Sequence, residues 1–257
     1  MLENKVFDEI SGYPKSNPQP RCPICDHDTA ILDCVDFNIY PEKTGIPIYY
    51  NICSHCDFCF APEMYKWSPE EFGKYVYNEF YIKVDPDYVY KRPADDAATI
   101  INRFGSVKDQ IRHLDYGGGQ GVMSSILREN GFDSIAYDPF VNKDVNLSDL
   151  GKFDLITSFE VFEHVPDVHH LMTTLGGLRK DDGVIYFSTL MSNGNIKRGE
   201  RLHWWYAVPR NGHISLFSEK SLAIISEKYG LNLGHFNESR HLMWGDIVPE
   251  WAKGTVL

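Results

Sequence analysis

The stretch that decides the fold runs from Ile111 to Gly121 and reads IRHLDYGGGQG. A short apolar strand ends at Asp115, glycines follow at alternate positions, and the amphipathic segment from Val122 to Asn130 is typical of a helix. Glycine admits positive φ angles and lets a ligand approach the backbone more closely than a Cβ atom would allow. The unpaired N–H groups at the start of the helix point toward the same ligand. We therefore expect a binding turn between a strand and a helix.

The spacing of this turn differs from that of a dinucleotide-binding turn, which follows the pattern G-x-G-x-x-G. The chain has D-x-G-x-G-x-G instead, a pattern that resembles motif I of the class I methyltransferases that use S-adenosylmethionine (SAM). In that family the turn packs against the amino-acid end of SAM. The resemblance implies that SAM is bound here by Asp115, Gly117, Gly119 and Gly121.

A second predicted strand runs from Asp133 to Tyr137 and ends at Asp138, about 20 residues after the glycines. An acid at the end of the second strand of a βαβ unit can accept hydrogen bonds from both ribose hydroxyls. The alternative is that Asp138 only opens an Asp-Pro turn. Its position after the glycine turn favours the ribose interpretation.

The segment from Phe153 to Asp167 reads FDLITSFEVFEHVPD and looks like the "FDLI…EVLEHVPD" segment of many small-molecule methyltransferases. In that family a buried fourth strand is followed by a loop and a helix under the cofactor. The resemblance implies that Phe159 and Glu160 bind the cofactor. It covers roughly residues 111–236 and implies an α/β fold with the Rossmann-like sheet of the class I methyltransferases.

Only the brief segment of residues 141–150 lies between the second and fourth strands of the family pattern. In that pattern this part of the chain contains the third strand and the residue that binds the adenine of SAM. In the family an acid after the third strand accepts a hydrogen bond from the adenine amino group. The matching residue here is Asn146, whose amide oxygen can also accept such a bond. Asp144 is the alternative at this position.

The remaining elements are predicted from apolar segments in the second half of the chain. A fifth strand is expected from Gly183 to Leu190, and a helix from Glu219 to Tyr229. Leu231 to Phe236 and Leu242 to Val248 are the expected sixth and seventh strands. These two strands would form the antiparallel hairpin that ends the family's sheet, within a short segment near the end of the sequence.

The chain has 257 residues, of which 43% are hydrophobic, 24% charged and 14% aromatic, an ordinary composition for a globular protein. The formal net charge of −11 opposes binding to a polyanion, so a nucleic-acid partner is not expected. No apolar run reaches the length of a membrane span, and the first residues lack the apolar centre of a signal peptide. We expect a cytoplasmic protein, and the oligomeric state is left open.

All six cysteines lie between Cys22 and Cys59. Four of them form two C-x2-C knuckles, a pattern that matches a tetrahedral structural zinc site with four thiolate ligands. The expected Zn²⁺ ligands are Cys22, Cys25, Cys53 and Cys56. Disulfides are disfavoured in a cytoplasmic chain, and a redox role for one pair would leave the other pair unexplained. Cys59 is the substitute if one of the four is not a ligand.

These signals divide the chain into three parts. Residues 1–65 are the expected zinc-ribbon module, and residues 66–110 a helical connector, in which a capping box at Ser68 predicts a helix start. Residues 111–257 are the expected SAM-binding domain, with a substrate loop at about 191–217.

Residues 197–213 read KRGERLHWWYAVPRNGH and differ in charge and aromatic content from the rest of the chain. Loops after the carboxyl ends of strands face the ligand crevice in open α/β sheets. Aromatic faces beside guanidinium groups suit a sugar ring joined to phosphate. Single-stranded nucleic acid would satisfy the same chemistry, and a cluster of core aromatics with solvated arginines is the structural alternative. The residues expected to bind the substrate are Arg201, Trp204, Trp205, Tyr206 and Arg210.

Residues 211–218 read NGHISLFS and resemble the "EHFFLFS" segment of zinc-containing sugar C-methyltransferases, which also carry an N-terminal cysteine module. The resemblance implies that His213 is the general base, a role that suits an imidazole near neutral pH. Gly212 stands where that family has Glu. His164, in the Glu-His pair after the fourth strand, is the rival base, and His203 is a third candidate.

The sulfonium of SAM is already a strong electrophile, so the protein must position an acceptor and remove its proton. We expect SAM-dependent O-methylation of a sugar or nucleotide-linked sugar in glycan biosynthesis. C-methylation of a nucleotide-linked keto-sugar is the alternative, with His213 removing a proton from carbon. A non-catalytic SAM-binding zinc module that recognises a partner is the alternative from another class.

Overall fold

The computed structural model of the chain describes residues 19–37 and 45–253. The strands within these two ranges are β1 (Thr29–Asp36), β2 (Pro47–Cys53), β3 (Cys59–Phe60), β4 (Arg112–Tyr116), β5 (Asp133–Tyr137), β6 (Phe153–Ser158), β7 (Arg179–Ser188), β8 (Ser215–Leu216), β9 (Asn232–His235) and β10 (Arg240–Trp244). The α-helices within them are α1 (Pro69–Tyr75), α2 (Tyr81–Val84), α3 (Lys91–Phe104), α4 (Val122–Glu129), α5 (Val168–Leu178) and α6 (Glu219–Lys228). None of the described helices is long and apolar enough to cross a membrane.

The chain divides into two units that alternate along the sequence. The first unit contains the described residues up to 86, together with residues 163–169 and 190–225. The second unit contains residues 87–162, 170–189 and the described residues from 226 onward. The cysteine knuckles and the predicted substrate loop therefore belong to one unit, and the glycine turn belongs to the other.

A six-stranded sheet with the order β5-β4-β6-β7-β10-β9 forms the second unit. The first four strands in this order are parallel, whereas β10 runs antiparallel to both of its neighbours. The antiparallel hairpin expected at the end of the sheet is confirmed as β9 and β10. Because the carboxyl ends of parallel strands meet at one edge, the residues that follow β4, β5 and β6 share that edge.

The parallel strands carry apolar side chains on both faces because helices cover the sheet. Every residue of β6 is buried. Helix α3 contributes Ala97, Ile100 and Phe104 to the core, at the spacing of one helical face. Leu127 of α4 and Leu155 of β6 belong to the same core. This packing fixes the direction of β4 and therefore the position at which its glycine turn begins.

The third strand of the family pattern is absent from the described structure, where residues 141–150 form a loop and a 3-10 turn from Leu147 to Leu150. Asn146 is the N-cap of this turn, and its side-chain oxygen accepts a hydrogen bond from the Ser148 N–H (3.2 Å). A short polar segment that can bond its own backbone in this way favours a turn over a strand. Beyond β5, the described residues add no further strand to the sheet.

The first unit contains an antiparallel sheet with the order β1-β2-β3-β8. Strands β1 and β2 form an antiparallel hairpin between the two knuckles, in which Thr29 pairs with Cys53. Strand β8 lies at the end of the predicted substrate loop and pairs with β3. The capping box at the start of α1 is also confirmed, since the Glu71 N–H donates to Ser68 Oγ and the Ser68 N–H donates to the Glu71 carboxylate.

Candidate functional site

A buried carboxylate lies beneath the glycine turn of the second unit. Asp115, near the end of β4, is only 4% exposed. Burial raises the pKa of its carboxyl to about 7, although a hydrogen bond from the Thr157 hydroxyl (3.3 Å) acts in the opposite direction. A cation that binds next to this carboxyl would stabilise its charged form.

Gly118 is the residue that lets the turn close over this carboxyl. A Cβ atom at position 118 would lie 2.3 Å from Asp115 Oδ2, far inside contact distance. Gly117 has a φ of 80°, and a Cβ atom there would lie 2.4 Å from Val161 Cγ2. The sequence pattern did not predict a role for Gly118, although the unbroken run of three glycines could have indicated one.

Hydrogen bonds join the turn to the end of β5. The Gly117 N–H donates to the Tyr137 carbonyl oxygen (2.7 Å), and the Gly119 N–H donates to Asp138 Oδ2 (3.1 Å). The other carboxylate oxygen of Asp138 accepts from the Phe140 N–H (2.8 Å). The Asp138 carboxylate thus accepts hydrogen bonds both from the glycine turn and from the turn that follows β5. The Asp-Pro turn is present, and the contact of Asp138 with a ribose stays a prediction.

An open cavity of about 320 Å³ borders the turn. Gly119, Gly121, Ala136 and Asn142 are among the residues that line it. Gly121 is the N-cap of α4 at a φ of 76° and has no side chain to bond the first N–H groups of that helix. Asn146 does not line this cavity but lies exposed in its own turn.

Phe159 and Glu160 follow β6 at the same edge of the sheet. Glu160 has a φ of 53°, which is uncommon for a residue with a side chain. Its N–H donates to Ser188 Oγ (2.8 Å), and the Ser188 hydroxyl donates back to Glu160 Oε1 (2.8 Å). The guanidinium of Arg240 lies 4.2 Å from the centre of the Phe159 ring. Both predicted residues are therefore held in defined positions.

Carboxyl groups accumulate around this edge. Buried Asp96 of α3 forms an ion pair with the partly buried Arg240. Burial raises the pKa of Asp96, Arg240 lowers it and Glu160 raises it further. After burial, Asp96 and Asp138 also raise the pKa of Asp115. Four acids, Asp96, Asp115, Asp138 and Glu160, outnumber Arg240 and Arg92, the two arginines that lower the pKa of Asp96. Such an edge repels a pyrophosphate and attracts a ligand with positive charge. Asp96 and Arg240 were missed from the sequence, because each comes from an element distant in the chain.

The four cysteines of the two knuckles meet in the first unit. The Sγ atoms of Cys22 and Cys56 are 3.6 Å apart, and Cys25 Sγ lies 3.5 Å from the Sγ atoms of Cys53 and Cys56. A tetrahedron with Zn–S bonds of about 2.3 Å has edges of roughly 3.8 Å, whereas a disulfide would be about 2.05 Å long. The donor set and spacing therefore fit a zinc ion.

The two knuckles have the same backbone form. The Cys22 N–H donates to the carbonyl of His27, and the Cys53 N–H donates to that of Phe58, both at 2.9 Å. Asp26 and Asp57, each directly after the second cysteine of its knuckle, have φ angles of 57° and 58°. The cluster among the described residues contains neither Cys34 nor Cys59. Burial raises the pKa of the Cys59 thiol, which suits an apolar core residue.

A second cluster of the first unit brings together His164, His213 and Glu163, whose ligand-type atoms all lie within 4.8 Å of one another. His213 Nδ1 lies 2.7 Å from the backbone carbonyl of Tyr206. Because a carbonyl oxygen can only accept, Nδ1 carries the proton and Nε2 keeps its lone pair. A hydrogen bond of 3.1 Å joins His164 Nδ1 and the Tyr77 hydroxyl. The two predicted bases are thus neighbours, whereas the exposed His203 is not part of this cluster.

Arg210 is 2% exposed, and burial lowers the pKa of its guanidinium. Its N–H groups donate to the carbonyl of Val76 (2.6 Å) and to Asn78 Oδ1 (3.1 Å), the residues on either side of Tyr77. These bonds fix the backbone around the tyrosine that meets His164. A contact of Arg210 with substrate stays a prediction.

The other residues predicted for the substrate differ in exposure. Trp204 and Tyr206 are buried, and the Tyr206 hydroxyl donates to Glu163 Oε1. Trp205 is 69% exposed. Arg201 is also exposed, with its Nε 3.3 Å from Asp33 Oδ2. Trp205 and Arg201 are therefore the two of the five predicted residues that present their side chains to solvent.

A family model described as a methyltransferase domain matches residues 88–235. The ubiquinone biosynthesis O-methyltransferase of Glaesserella parasuis is 43% identical over 44 residues, which are 17% of this chain and 19% of that protein. The ubiquinone biosynthesis O-methyltransferase of Bordetella avium is 27% identical over an alignment of 106 positions that covers 32% of this chain and 44% of that protein. The chain spans less than half the length of either relative.

Solved structures are similar at a lower level. The 1,6-didemethyltoxoflavin-N1-methyltransferase of Burkholderia thailandensis has a TM-score of 0.48 and 15% identity, covering 82% of this chain and 96% of that one. DesVI of Streptomyces venezuelae has a TM-score of 0.43 and 15% identity, covering 66% of this chain and 97% of that one. No conclusion about the acceptor follows from similarities of this size.

We expect Gly118→Ala to lower the free energy of unfolding by about 1–3 kcal/mol, because the added Cβ overlaps the Asp115 carboxyl. The variant should also bind SAM more weakly, since the carboxyl must move. Urea denaturation and calorimetry measure the two effects. Gly176→Ala is the matched control, because nothing lies within 4 Å of a Cβ there and alanine favours the helix. Equal stability of Gly118→Ala and the wild-type protein would contradict the close contact.

Proposed function

The chain belongs to the methyltransferase domain family, and from this premise we propose that it transfers the methyl group of SAM to an oxygen atom of a sugar or nucleotide-linked sugar. The observation that carries the proposal is the glycine turn closed over the buried Asp115 carboxyl at an acidic sheet edge. A carboxyl-rich edge is suited to the ammonium and sulfonium charges of SAM and unsuited to a phosphate.

Each part of the second-unit site has a role toward SAM. Asp115 and the neighbouring acids attract its positive charges, and Asp138 accepts hydrogen bonds from its ribose. The open backbone of the glycine turn admits its amino-acid end. When bound, SAM supplies a methyl carbon that the acceptor oxygen attacks while the carbon–sulfur bond breaks and S-adenosylhomocysteine leaves. Phe159 and Glu160 lie at the same edge and complete the proposed contacts.

The histidine cluster of the first unit removes the proton of the acceptor hydroxyl. His213 receives it on Nε2, because the hydrogen bond from Nδ1 to the Tyr206 carbonyl fixes the tautomer. A positioned base contributes about 10²–10⁴-fold to the rate. His164, bonded to Tyr77, is the second candidate for this role.

A carbohydrate acceptor is supported by the exposed Trp205 and Arg201 in the predicted substrate loop. Transfer to oxygen is supported by the O-methyltransferase names of the curated relatives. The names of those relatives make a ubiquinone precursor the second acceptor class to test.

We also propose that Cys22, Cys25, Cys53 and Cys56 hold a structural Zn²⁺ ion. Four thiolates at this spacing fit the ion, and the Cys53 sulfur accepts bonds from the N–H groups of His55 (3.3 Å) and Cys56 (3.4 Å). Zinc would join the two knuckles and so fix the end of the β1–β2 hairpin. Free thiolates persist in a reducing compartment, so the cytoplasm is the proposed location.

Incubation with methyl-labelled SAM and a panel of sugars, nucleotide-linked sugars and ubiquinone precursors should label one sugar acceptor. His213→Ala should retain SAM affinity and lose at least about 10²-fold in turnover, since only the base is removed. His170→Ala, which alters an exposed histidine of α5 outside the proposed site, is the control and should keep full turnover. Label on a quinone precursor would overturn the sugar class. Unchanged turnover of both His213→Ala and His164→Ala would overturn the catalytic role of the cluster.

Elemental analysis of the purified protein should find about one zinc per chain. Cys25→Ser should lose the metal and the order of the β1–β2 hairpin, because three thiolates hold zinc less tightly than four. Cys34→Ser, which alters a cysteine outside the cluster, should retain both. Wild-type protein without zinc, or loss of zinc from Cys34→Ser, would show that the assignment is wrong.

A further inference from the structure

The cluster around His213 contains a carboxylate to which the sequence patterns assigned no role. We propose that Glu163 is a positioning residue that supplies the acid partner of the two histidines and raises their affinity for a proton. The inference rests on the proposed function, because the proton is taken from the acceptor by one of these histidines. It also accounts for the chemistry of the site without a side chain at position 212.

Position 212 cannot carry that acid in this structure. Gly212 has a φ of 87°, which disfavours any residue with a side chain. A Cβ atom there would lie 2.9 Å from His164 Nδ1 and 2.9 Å from the Tyr77 hydroxyl oxygen. A side chain at 212 would therefore break the hydrogen bond between these two groups.

Glu163 supplies a carboxylate next to the two histidines from another part of the chain. Its backbone carbonyl accepts a hydrogen bond from the Ile214 N–H (2.9 Å), which sets residue 163 beside the His213 segment. Its side chain is fully buried, and a carboxylate oxygen lies within 4.8 Å of a ring nitrogen of both His164 and His213. The Tyr206 hydroxyl donates to Oε1, so the carboxylate is held in place.

The same tyrosine connects the acid and the base. Tyr206 donates to Glu163 through its hydroxyl and accepts from His213 Nδ1 through its backbone carbonyl. The centres of the Tyr206 and His213 rings are 4.2 Å apart. Tyr206 therefore orients both partners, which explains why this residue of the predicted substrate loop is buried.

A buried carboxylate next to an imidazole favours the imidazolium form, because opposite charges attract strongly where water is excluded. Titratable side chains contact the cluster from several elements: the Tyr206 hydroxyl donates to Glu163, Tyr77 shares a hydrogen bond with His164, and the Tyr50 hydroxyl of β2 donates to the His213 carbonyl (2.7 Å). When His213 takes the acceptor proton on Nε2, the positive charge forms next to Glu163. The proton affinity of the base and the rate of transfer should both depend on this carboxylate.

A proton NMR titration of the histidine ring resonances in the full-length protein tests the inference without an acceptor. The signals of His164 and His213 are assigned from His164→Ala and His213→Ala. In Glu163→Gln, the pKa of at least one of the two histidines should fall by about one unit, because the neutral amide no longer favours the imidazolium. Glu163→Asp keeps the charge and should keep most of the wild-type pKa. Glu219→Gln, at an exposed acid at the start of α6, should change neither histidine.

The kinetic readout uses the acceptor identified with labelled SAM. Glu163→Gln should lower kcat about 10²-fold with unchanged SAM affinity, and the acidic limb of its pH profile should move to lower pH. A purely structural role would reduce folded protein and leave that limb in place. If Glu163→Gln does not fold, Glu163→Met, which removes the charge and keeps the length of the side chain, gives the same test.

Wild-type histidine pKa values and wild-type kcat in Glu163→Gln would overturn the inference. This outcome is distinct from failure of the proposed function. If His213→Ala loses turnover while Glu163→Gln does not, the base is correct and the acid partner is wrong. If both His213→Ala and His164→Ala retain turnover, the proposed catalytic role of the cluster itself is wrong.

Discussion

The contact between the buried Asp115 carboxyl and the backbone of Gly118 is the constraint on which the candidate site depends. A side chain at position 118 would meet Asp115 Oδ2 at 2.3 Å, so the turn can close over the acid only because this residue is glycine. Burial without a paired cation raises the pKa of that acid to about 7. Hydrogen bonds from the turn to Tyr137 and Asp138 then place β5 against it. The glycine at position 118 therefore allows both the close turn and the buried carboxyl at the edge of the sheet where β4 and β5 end.

Features that depend on neighbouring residues could be predicted from the sequence. The strand, turn and helix around Gly117, the strand that ends at Tyr137, and each of the two cysteine knuckles follow from a local pattern of residue types, and the repeated knuckle pattern also indicates that the two meet. Features that depend on distant segments could not. Glu163 meets His213 across 50 positions, and Asp96 meets Arg240 across 144. No periodicity or spacing encodes such pairs, because they result from how the elements pack.

The aromatic segment 197–213 shows a second limit of sequence interpretation. Composition identified it correctly as unusual, but composition does not distinguish a ring that stacks on a sugar from one that fills a core. Trp204 and Tyr206 are buried next to exposed Trp205, and Arg210 fixes the backbone on both sides of Tyr77. The missing third strand has a similar cause, because the Asn146 side chain bonds its own turn. In each case the structure shows a local contact or burial that the sequence pattern does not reveal, and the predicted role of the residue toward a ligand stays a prediction.

The most direct test of SAM binding at this edge is calorimetric titration with SAM at pH 6 and pH 8. A bound cation favours the charged carboxylate, so SAM should lower the raised pKa of Asp115 and release a proton on binding. With a starting pKa of about 7, the affinity should be about tenfold higher at pH 8 than at pH 6. Asp115→Asn should bind more weakly and lose this dependence. The absence of binding at millimolar SAM, or equal affinities of the wild-type protein at the two pH values, would contradict the account.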